Sequence, residues 1–284
     1  MLNVREALAS LTYEKVVFSV KNKNVLITGG TGILGLPMAK VLCEGGANVA
    51  VLSRDVPSLL SAQGKMAALG HRITAIEANV CDLKQLQRAH QQLREQFGSV
   101  EILINAAGGN QKGATIQIDQ TVFDMDPNAM RAVVDLNLMG SLLPIQVFGR
   151  DLAERKKGAV INISSMSAFR PLTRVAGYSA AKAAISNLTQ WLAVEFAQKY
   201  GEGIRVNAIA PGFFLTEQNR ELLTNTDGTL TERGQQIVSH TPFGRFGQPE
   251  ELLGTLVWLC SDASKFVTGT VIPVDGGFSA YAGV

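Results

Sequence analysis

Short apolar runs rich in valine and isoleucine recur along the chain and alternate with longer helical patterns. The runs are NVLIT, NVAVL, RITAIE, VEILIN, GAVINIS, IRVNAIA and TVIPVD. Between them, segments such as 83–97 and 176–200 place apolar residues at helical spacing. Strands of this kind, separated by helices, predict a parallel sheet covered on both faces. We therefore expect an α/β fold with a doubly wound, mostly parallel seven-stranded sheet.

The pattern indicates one domain, because no repeat, low-complexity stretch or linker divides the chain. Residues 1–20 precede the first strand and are expected to form an N-terminal arm. Residues 21–284 would then form the folded domain. A long polar insertion at 213–248 separates the sixth and seventh predicted strands, and a connection of this length is typical of a substrate lid.

Composition narrows the class of protein. A chain of 284 residues with 46% hydrophobic residues can fill one large core. The net charge of +2 gives no support for a nucleic-acid or acidic-membrane partner. No apolar run approaches the roughly 18 uncharged residues of a membrane helix. Charged residues occupy the N-terminal stretch where a signal peptide would need its apolar block.

Cysteine usage indicates a reducing compartment. The three cysteines, Cys43, Cys81 and Cys260, are scattered and lack metal-ligand spacing. We therefore expect a cytoplasmic protein without a metal site. Cys81 and Cys260 lie among apolar residues and are expected to be buried.

A glycine-rich turn follows the first strand. Residues 30–35, GTGILG, fit G-x-G-x-x-G after a strand and before a helical stretch. Glycines permit a tight turn, and the helix N-terminus offers free N–H groups and partial positive charge to a pyrophosphate. A glycine-rich turn without a ligand is the alternative, but its place in a βαβ unit favours dinucleotide binding. The fold is accordingly predicted to be a single Rossmann-type domain.

The end of the second strand bears on the choice of dinucleotide. An acidic residue there would bond the ribose hydroxyls of NAD(H), whereas an arginine accommodates the 2′-phosphate of NADP(H). The chain reads VAVLSRD, which places Arg54 at the strand tip. NADP(H) is favoured, and NAD(H) is the alternative because Asp55 follows and could turn inward. Arg54 as a plain surface residue also stays open.

A tyrosine and a lysine stand four residues apart in the alanine-rich run GYSAAKAAI. In a helix, Tyr178 and Lys182 would share one face, one turn apart. Such a pair by itself is most often two ordinary half-exposed side chains. Its significance comes from the other motifs of the chain.

Together these motifs resemble the short-chain dehydrogenase/reductase family over nearly the whole chain. In order they are TGGTGILG, NAAG at 105–108, Asn137 in DLNLMG, NISS at 162–165, Tyr178-x-x-x-Lys182 and PGFFLT at 211–216. The chain departs from the family pattern at two positions. Ile33 replaces the usual glycine of the phosphate loop, and Asn79 replaces the aspartate often found near the adenine.

The resemblance implies an NAD(P)-dependent oxidoreductase with a catalytic set of four residues, Asn137, Ser165, Tyr178 and Lys182. Tyr178 would exchange a proton with the substrate, and we expect the Lys182 ammonium and the nicotinamide to lower its pKa. Ser165 lies 13 residues before Tyr178 and would donate to the reacting oxygen. Ser164 and Ser167 compete for that role, although strand alternation directs Ser164 away. Asn137 would hold a structural water that links Lys182 to solvent, or would be a satisfied core amide.

The same resemblance implies a set of residues around the cofactor. Besides Tyr178 and Lys182, these are Gly29, Thr31, Gly32, Ile33, Arg54, Asn79, Val80, Asn105, Ala106, Gly108, Pro211, Gly212 and Thr216. Asn105 could instead chiefly brace the sheet.

Polar residues near the catalytic motifs suggest a hydroxylated acid as substrate, because amides bond hydroxyl groups and arginine grips a carboxylate. The stretches that carry them resemble the branch of the family that interconverts D-fructuronate and D-mannonate. The candidate substrate-binding residues are Asn110, Lys112, Arg170, Arg174 and Arg220. At least one of these arginines is expected to be a solvated surface residue.

Alternatives stay open at this point. They are a gluconate 5-dehydrogenase-like activity, reduction of carrier-bound 3-oxoacyl chains, and a nucleotide-sensing scaffold without turnover. A carrier-bound acyl chain would need an apolar slot after residue 212, where this chain has TEQNRELLTNTDGTLTERGQQ. The apolar, glycine-rich tail and the habit of the family predict a homo-oligomer, most simply a homotetramer.

Overall fold

The computed structural model describes residues 17–215, 220 and 223–283. Most of the predicted N-terminal arm and the predicted cofactor residue Thr216 therefore lie outside the described part of the chain. Nearly all of the predicted domain at 21–284 lies within it.

All seven predicted strands are present in one parallel sheet, in the order β3-β2-β1-β4-β5-β6-β7. They are β1 Asn24–Thr28, β2 Asn48–Ser53, β3 Ile73–Glu77, β4 Ile102–Asn105, β5 Gly158–Ile163, β6 Ile204–Pro211 and β7 Val271–Val274. The order reverses between β1 and β4, and ligands of doubly wound sheets bind at such a switch point. The predicted fold class is confirmed.

The helices follow the predicted alternation. They are α1 Gly35–Glu44, α2 Val56–Ala68, α3 Leu83–Gln96, α4 Pro127–Val134, α5 Gly140–Arg155, α6 Ala176–Tyr200, α7 Glu232–Ser239 and α8 Leu253–Cys260. A π-helical turn, Asp135–Met139, joins α4 to α5. The predicted helices at 83–97 and 176–200 are confirmed as α3 and α6.

Two apolar cores lie on opposite faces of the sheet. One face packs against α1 and α8, with Met38 and Leu256 among its fully buried side chains. The other packs against α3, α5 and α6, with Leu86 and Phe148 among its fully buried side chains. Because both faces are covered, the strands are apolar along nearly their whole length.

The segment 213–248 is more ordered than its polar sequence indicates. Phe214 forms a parallel bridge with Gly247, and Thr224 forms an antiparallel bridge with Leu230. Buried side chains of this segment form a third, small apolar core: Leu223, Ile237 and Phe246. The described part of the predicted lid is therefore a folded element with its own helix, α7.

Two features bear on the environment of the protein. The helical stretch Pro127–Arg155 has a mean hydropathy of 1.4 over an 18-residue window, half of which is buried inside the fold. It is a core helix of the domain. Cys260 is buried, but Cys81 is exposed, so the expected burial of Cys81 is wrong. Cys81 lies in the loop between β3 and α3, where its N–H bonds Asn79.

Candidate active site

A cleft of about 470 Å³ opens at the carboxyl ends of the strands. The glycine loop, the turn after β4, the end of β5, Tyr178 of α6 and the segment after β6 form its walls. Its lining residues are Gly29, Thr31, Gly32, Ile33, Leu34, Gly35, Ala106, Ala107, Gly108, Ile163, Ser164, Ser165, Tyr178, Pro211, Gly212, Phe213 and Phe214. Most of the predicted catalytic and cofactor residues therefore meet in one place.

The glycine loop fits a pyrophosphate. Gly29 adopts a φ of +65°, and a Cβ at Gly35 would lie 2.3 Å from the Gly29 carbonyl oxygen. These two glycines are needed for the turn itself. A Cβ at Gly32 would meet only that same oxygen, at 3.2 Å, so Gly32 leaves open space above the loop. Among the described residues no side chain caps the N-terminus of α1, and its first turn carries no acidic residue. This terminus suits an anion.

The predicted adenine end of the cleft lies at the tips of β2 and β3. Asn79 Oδ1 accepts the Cys81 N–H at 3.0 Å, which leaves the Asn79 Nδ2 group as a donor for a base. Val80 is buried against Gly140. At this end of the cleft, the Asn79 amide therefore offers a hydrogen-bond donor.

Arg54 is exposed at the tip of β2. Asp55 does not turn inward, because its carboxylate caps α2 by accepting the Ser58 N–H at 2.9 Å. That hydrogen bond and the Ser58 hydroxyl hold the pKa of Asp55 below its usual range. At this end of the cleft the Arg54 guanidinium is therefore available to a ligand, whereas the Asp55 carboxylate is occupied at the N-terminus of α2.

Strand β4 and the turn after it form one wall of the cleft. Small residues line this wall, and buried side chains beneath it hold it in place. Asn105 is buried and donates from Nδ2 to Asn162 Oδ1 at 2.9 Å, which supports its bracing role. Its own Oδ1 has no hydrogen-bond partner in the part of the chain that the structure describes. A Cβ at Gly108 would lie 2.7 Å from Asn137 Oδ1 and 3.2 Å from Lys182 Nζ. Glycine at 108 therefore lets the backbone pass close to both groups. Ala106 lines the cleft beside it.

Lys182 is buried beneath the cleft, with 4% of its surface exposed. Its Nζ donates to the Ile163 carbonyl at 2.8 Å and lies 5.5 Å from the centre of the Tyr178 ring. Burial lowers the pKa of Lys182 to about 8. The site thus holds an amine whose charge is costly in its surroundings.

Tyr178 is half-buried one turn before Lys182 and forms a side-chain hydrogen bond with Ser165. Burial raises the pKa of the phenol, and the bond with Ser165 only partly offsets this. In the polypeptide alone, desolvation of the phenolate sets the direction of the shift. The expectation that the Lys182 ammonium and the nicotinamide together lower this pKa concerns the site with cofactor bound, and it stays a prediction.

The serines near β5 divide as strand alternation predicts. Ser164 Oγ lies 2.8 Å from Ser186 Oγ and donates to the Lys182 carbonyl, so it is directed at α6. Ser165 Oγ accepts the Ser167 N–H at 3.2 Å and also bonds Tyr178. Ser167 Oγ is buried without a partner among the described residues. Of these serines, Ser165 is the one that meets Tyr178.

Asn137 is fully buried in the π-helical turn. Its Nδ2 donates to the Gly109 and Val133 carbonyls, and its Oδ1 accepts the Gly109 N–H at 3.1 Å. The amide therefore fixes the start of the loop after β4. Gly108 lies between this amide and Lys182, so both face the same point of the backbone.

None of the five predicted substrate residues lines the cleft. Asn110, Lys112, Arg170 and Arg220 are exposed. Arg170 Nε donates to the Ser279 carbonyl at 3.3 Å, and half-buried Arg174 bonds Ile116 and Gln117. Arg170 and Arg174 therefore already donate hydrogen bonds to neighbouring segments of the chain.

Seven cleft residues were absent from the predicted set of site residues: Leu34, Gly35, Ala107, Ile163, Ser164, Phe213 and Phe214. The two phenylalanines follow Pro211-Gly212 directly, and that adjacency is a sequence signal for them. The main-chain oxygen of Ile163 accepts a hydrogen bond from Lys182. A main-chain contact of this kind cannot be predicted from the type of side chain at that position.

The known proteins that this chain resembles are oxidoreductases. Residues 31–279 match a family described as enoyl-(acyl carrier protein) reductase. The uncharacterized oxidoreductase UxuB of Bacillus subtilis is 46% identical over 275 residues, which cover 94% of this chain and 98% of that protein.

Two solved structures have the same fold. A proposed D-mannonate oxidoreductase from Haemophilus influenzae with bound NAD is 45% identical, with a TM-score of 0.88, and the match covers 94% of this chain and 98% of that one. A gluconate 5-dehydrogenase from Burkholderia cenocepacia in complex with NADP and tartrate is 29% identical, with a TM-score of 0.83, and the match covers 95% and 100%.

Proposed function

The chain belongs to the short-chain dehydrogenase/reductase family, and we propose that it interconverts D-fructuronate and D-mannonate or a closely related pair of sugar acids. It is an NAD(P)-dependent oxidoreductase acting on alcohol and ketone groups. The reaction type is supported above all by one cluster of side chains. Tyr178 bonds Ser165 above the buried Lys182, at the end of a cleft whose other end is a glycine loop suited to a pyrophosphate.

The nicotinamide cofactor supplies the hydride acceptor or donor when bound. In our proposal, Tyr178 Oη takes the proton of the substrate hydroxyl during oxidation and returns it during reduction. Ser165 Oγ donates to the reacting oxygen. Lys182 stabilises the phenolate. Asn137 holds the backbone beside Lys182, and a water at that point would carry protons to solvent.

The sugar-acid assignment rests on the polar surroundings of the cleft and on the relatives. Gluconate 5-dehydrogenase of Gluconobacter oxydans is 31% identical, and the related structure from Burkholderia cenocepacia holds tartrate, a hydroxylated acid. We propose Asn110 and Lys112 as partners of substrate hydroxyls. Arg170 and Arg220 are the principal candidates for the carboxylate, since Arg174 already donates to two loop acceptors. A gluconate 5-dehydrogenase activity is the second candidate and rests on the same relatives.

We propose NADP(H) as the preferred cofactor. Arg54 is exposed at the position that faces the adenosine ribose in this fold, and Asp55 is engaged in capping α2. The related structures contain NAD in one case and NADP in the other.

For assembly and localisation we propose a cytoplasmic homotetramer. Helix α6 exposes two large apolar side chains, Trp191 at 58% and Val194 at 56%, and exposed apolar surface of this kind suits a subunit contact. The molecular mass in solution, measured by light scattering, tests the oligomeric state.

The mechanism predicts that Tyr178→Phe lowers turnover by at least about 10³-fold, because the proton donor is lost. Cofactor affinity, measured by fluorescence quenching, should change less than about threefold, since the variant keeps the ring and removes only the hydroxyl. Ser165→Ala should lose about 10²-fold in turnover. Ser164→Ala is the matched control and should keep most of its activity. Equal losses in the two serine variants, or an active Tyr178→Phe, would contradict the assigned roles.

The cofactor proposal predicts that Arg54→Asp moves the preference from NADP(H) towards NAD(H) by about tenfold or more in kcat/KM, because the 2′-phosphate then faces a carboxylate. Steady-state kinetics with both cofactors measure this. Wild-type efficiency that is equal or better with NAD(H) would show that Arg54 does not select the cofactor.

The substrate proposal predicts activity on uronates and aldonates above that on neutral polyols, carrier-bound acyl groups or steroids. Arg170→Ala or Arg220→Ala should raise the KM for the acid about tenfold, since a charge-assisted pair contributes roughly 1.5–3 kcal/mol. Arg72→Ala, which changes an exposed arginine directly before β3, is the matched control. A preference for neutral or apolar substrates would defeat the sugar-acid assignment. Cofactor binding without turnover of any substrate would favour the nucleotide-sensing scaffold.

A further inference from the structure

A short loop after β4 is held at both ends by side chains from the elements that carry the proposed catalytic residues. We name residues 109–117 the strap. At its start, Asn137 exchanges two hydrogen bonds with the Gly109 backbone, of 2.7 and 3.1 Å. At its end, Arg174 bonds the strap three times. The Ile116 N–H donates to the Arg174 carbonyl at 3.0 Å, Arg174 Nε donates to the Ile116 carbonyl at 2.7 Å, and Nη2 donates to Gln117 Oε1 at 3.0 Å.

Arg174 makes these contacts from an unfavourable backbone conformation. Its φ is +72°, in the left-handed region that residues with a Cβ rarely adopt. Such a conformation persists only where the surrounding contacts determine it. Arg174 stands four residues before Tyr178, at the entry to α6. The strained residue therefore lies between the strap and the proposed catalytic tyrosine.

The strap is also cross-linked internally. Asn110 Nδ2 donates to Thr115 Oγ1 at 2.7 Å, Thr115 Oγ1 donates to the Gln111 carbonyl, and Gln117 Nε2 donates to the Thr115 carbonyl. Within the strap, the side chain of Ala114 is buried. The position of Asn110 and Lys112 is consequently set through Thr115 and Gln117 by the anchor at Arg174.

We propose that Arg174 is a positioning residue that fixes the strap, which begins directly after the cleft residue Gly108, and that it acts through Gln117 and Ile116 rather than by gripping the substrate carboxylate. A planar guanidinium can donate in parallel to two acceptors, whereas a lysine ammonium is a point donor on a flexible stem. The role therefore requires arginine and not simply a positive charge. The inference rests on the proposed function only for the identity of the substrate.

The test is a double-mutant cycle on the full-length enzyme with Arg174→Lys and Gln117→Met. Arg174→Lys keeps the charge, and Gln117→Met removes the acceptor without altering any charge. We expect KM for the ketone substrate to rise about tenfold in Arg174→Lys and about threefold in Gln117→Met, with kcat changed less than twofold. The effect of the double variant should be smaller than the product of the two single effects, because both changes break the bond between Arg174 and Gln117. Arg72→Ala is the control.

Two further readouts separate this role from others. Hydrogen exchange of residues 110–117 in the enzyme without substrate should rise in both single variants. Thermal unfolding midpoints should stay close to the wild-type value. An unchanged KM in Gln117→Met, or additive effects in the cycle, would overturn the proposal and assign Arg174 to the carboxylate. If the wild type turns over no sugar acid, the proposed substrate fails, and the cycle is measured on the ketone that the enzyme does reduce.

Discussion

The catalytic end of this protein is built around one costly group, an amine buried in an apolar interior. Lys182 keeps only 4% of its surface exposed, and its Nζ donates a hydrogen bond to the Ile163 carbonyl. Taking an ammonium out of water is unfavourable, so its pKa falls to about 8. A buried amine near neutrality is typical of a functional site, because the fold gains little stability from it.

The surrounding fold holds this amine in place through a polar ladder across the sheet. Asn105 of β4 bonds Asn162 of β5, and Asn162 in turn donates to Thr189 of α6 at 2.9 Å. Thr28 of β1 lies beside Asn105 in the register and accepts the Ala107 N–H. The ladder fixes the long helix α6 against the sheet, and with it both Tyr178 and Lys182. The bond from Ser164 to the Lys182 carbonyl adds a further tie at the same level.

Much of this arrangement follows from local sequence patterns. Continuous apolar runs and helical spacings predict the seven strands and α6, because parallel strands buried on both faces are apolar along nearly their whole length. The four-residue spacing of Tyr178 and Lys182 predicts their shared helix face. Strand alternation separates Ser164 from Ser165. These features depend on residues that are close together in the sequence, and they can therefore be predicted from it.

Other features depend on contacts between distant segments and could not be predicted in this way. The raised pKa of Tyr178 is set by burial, which the spacing to Lys182 does not report. Arg174 bonds a loop 58 residues away, so its type alone suggested a carboxylate ligand. The polar segment 213–248 forms a small core because Leu223, Ile237 and Phe246 meet in space.

The central claim is that Lys182 is retained at the expense of stability, and its pH dependence tests this most directly. The pKa is 10.5 in the unfolded chain and about 8 in the fold. Below pH 8 the folded state must bury the charge, and this cost disappears as the pH rises towards 10.5. Denaturant unfolding of wild type and Lys182→Met at pH 7 and pH 10 measures it. Between these values the wild type should gain about 2 kcal/mol relative to the variant. A difference that is independent of pH would contradict the account.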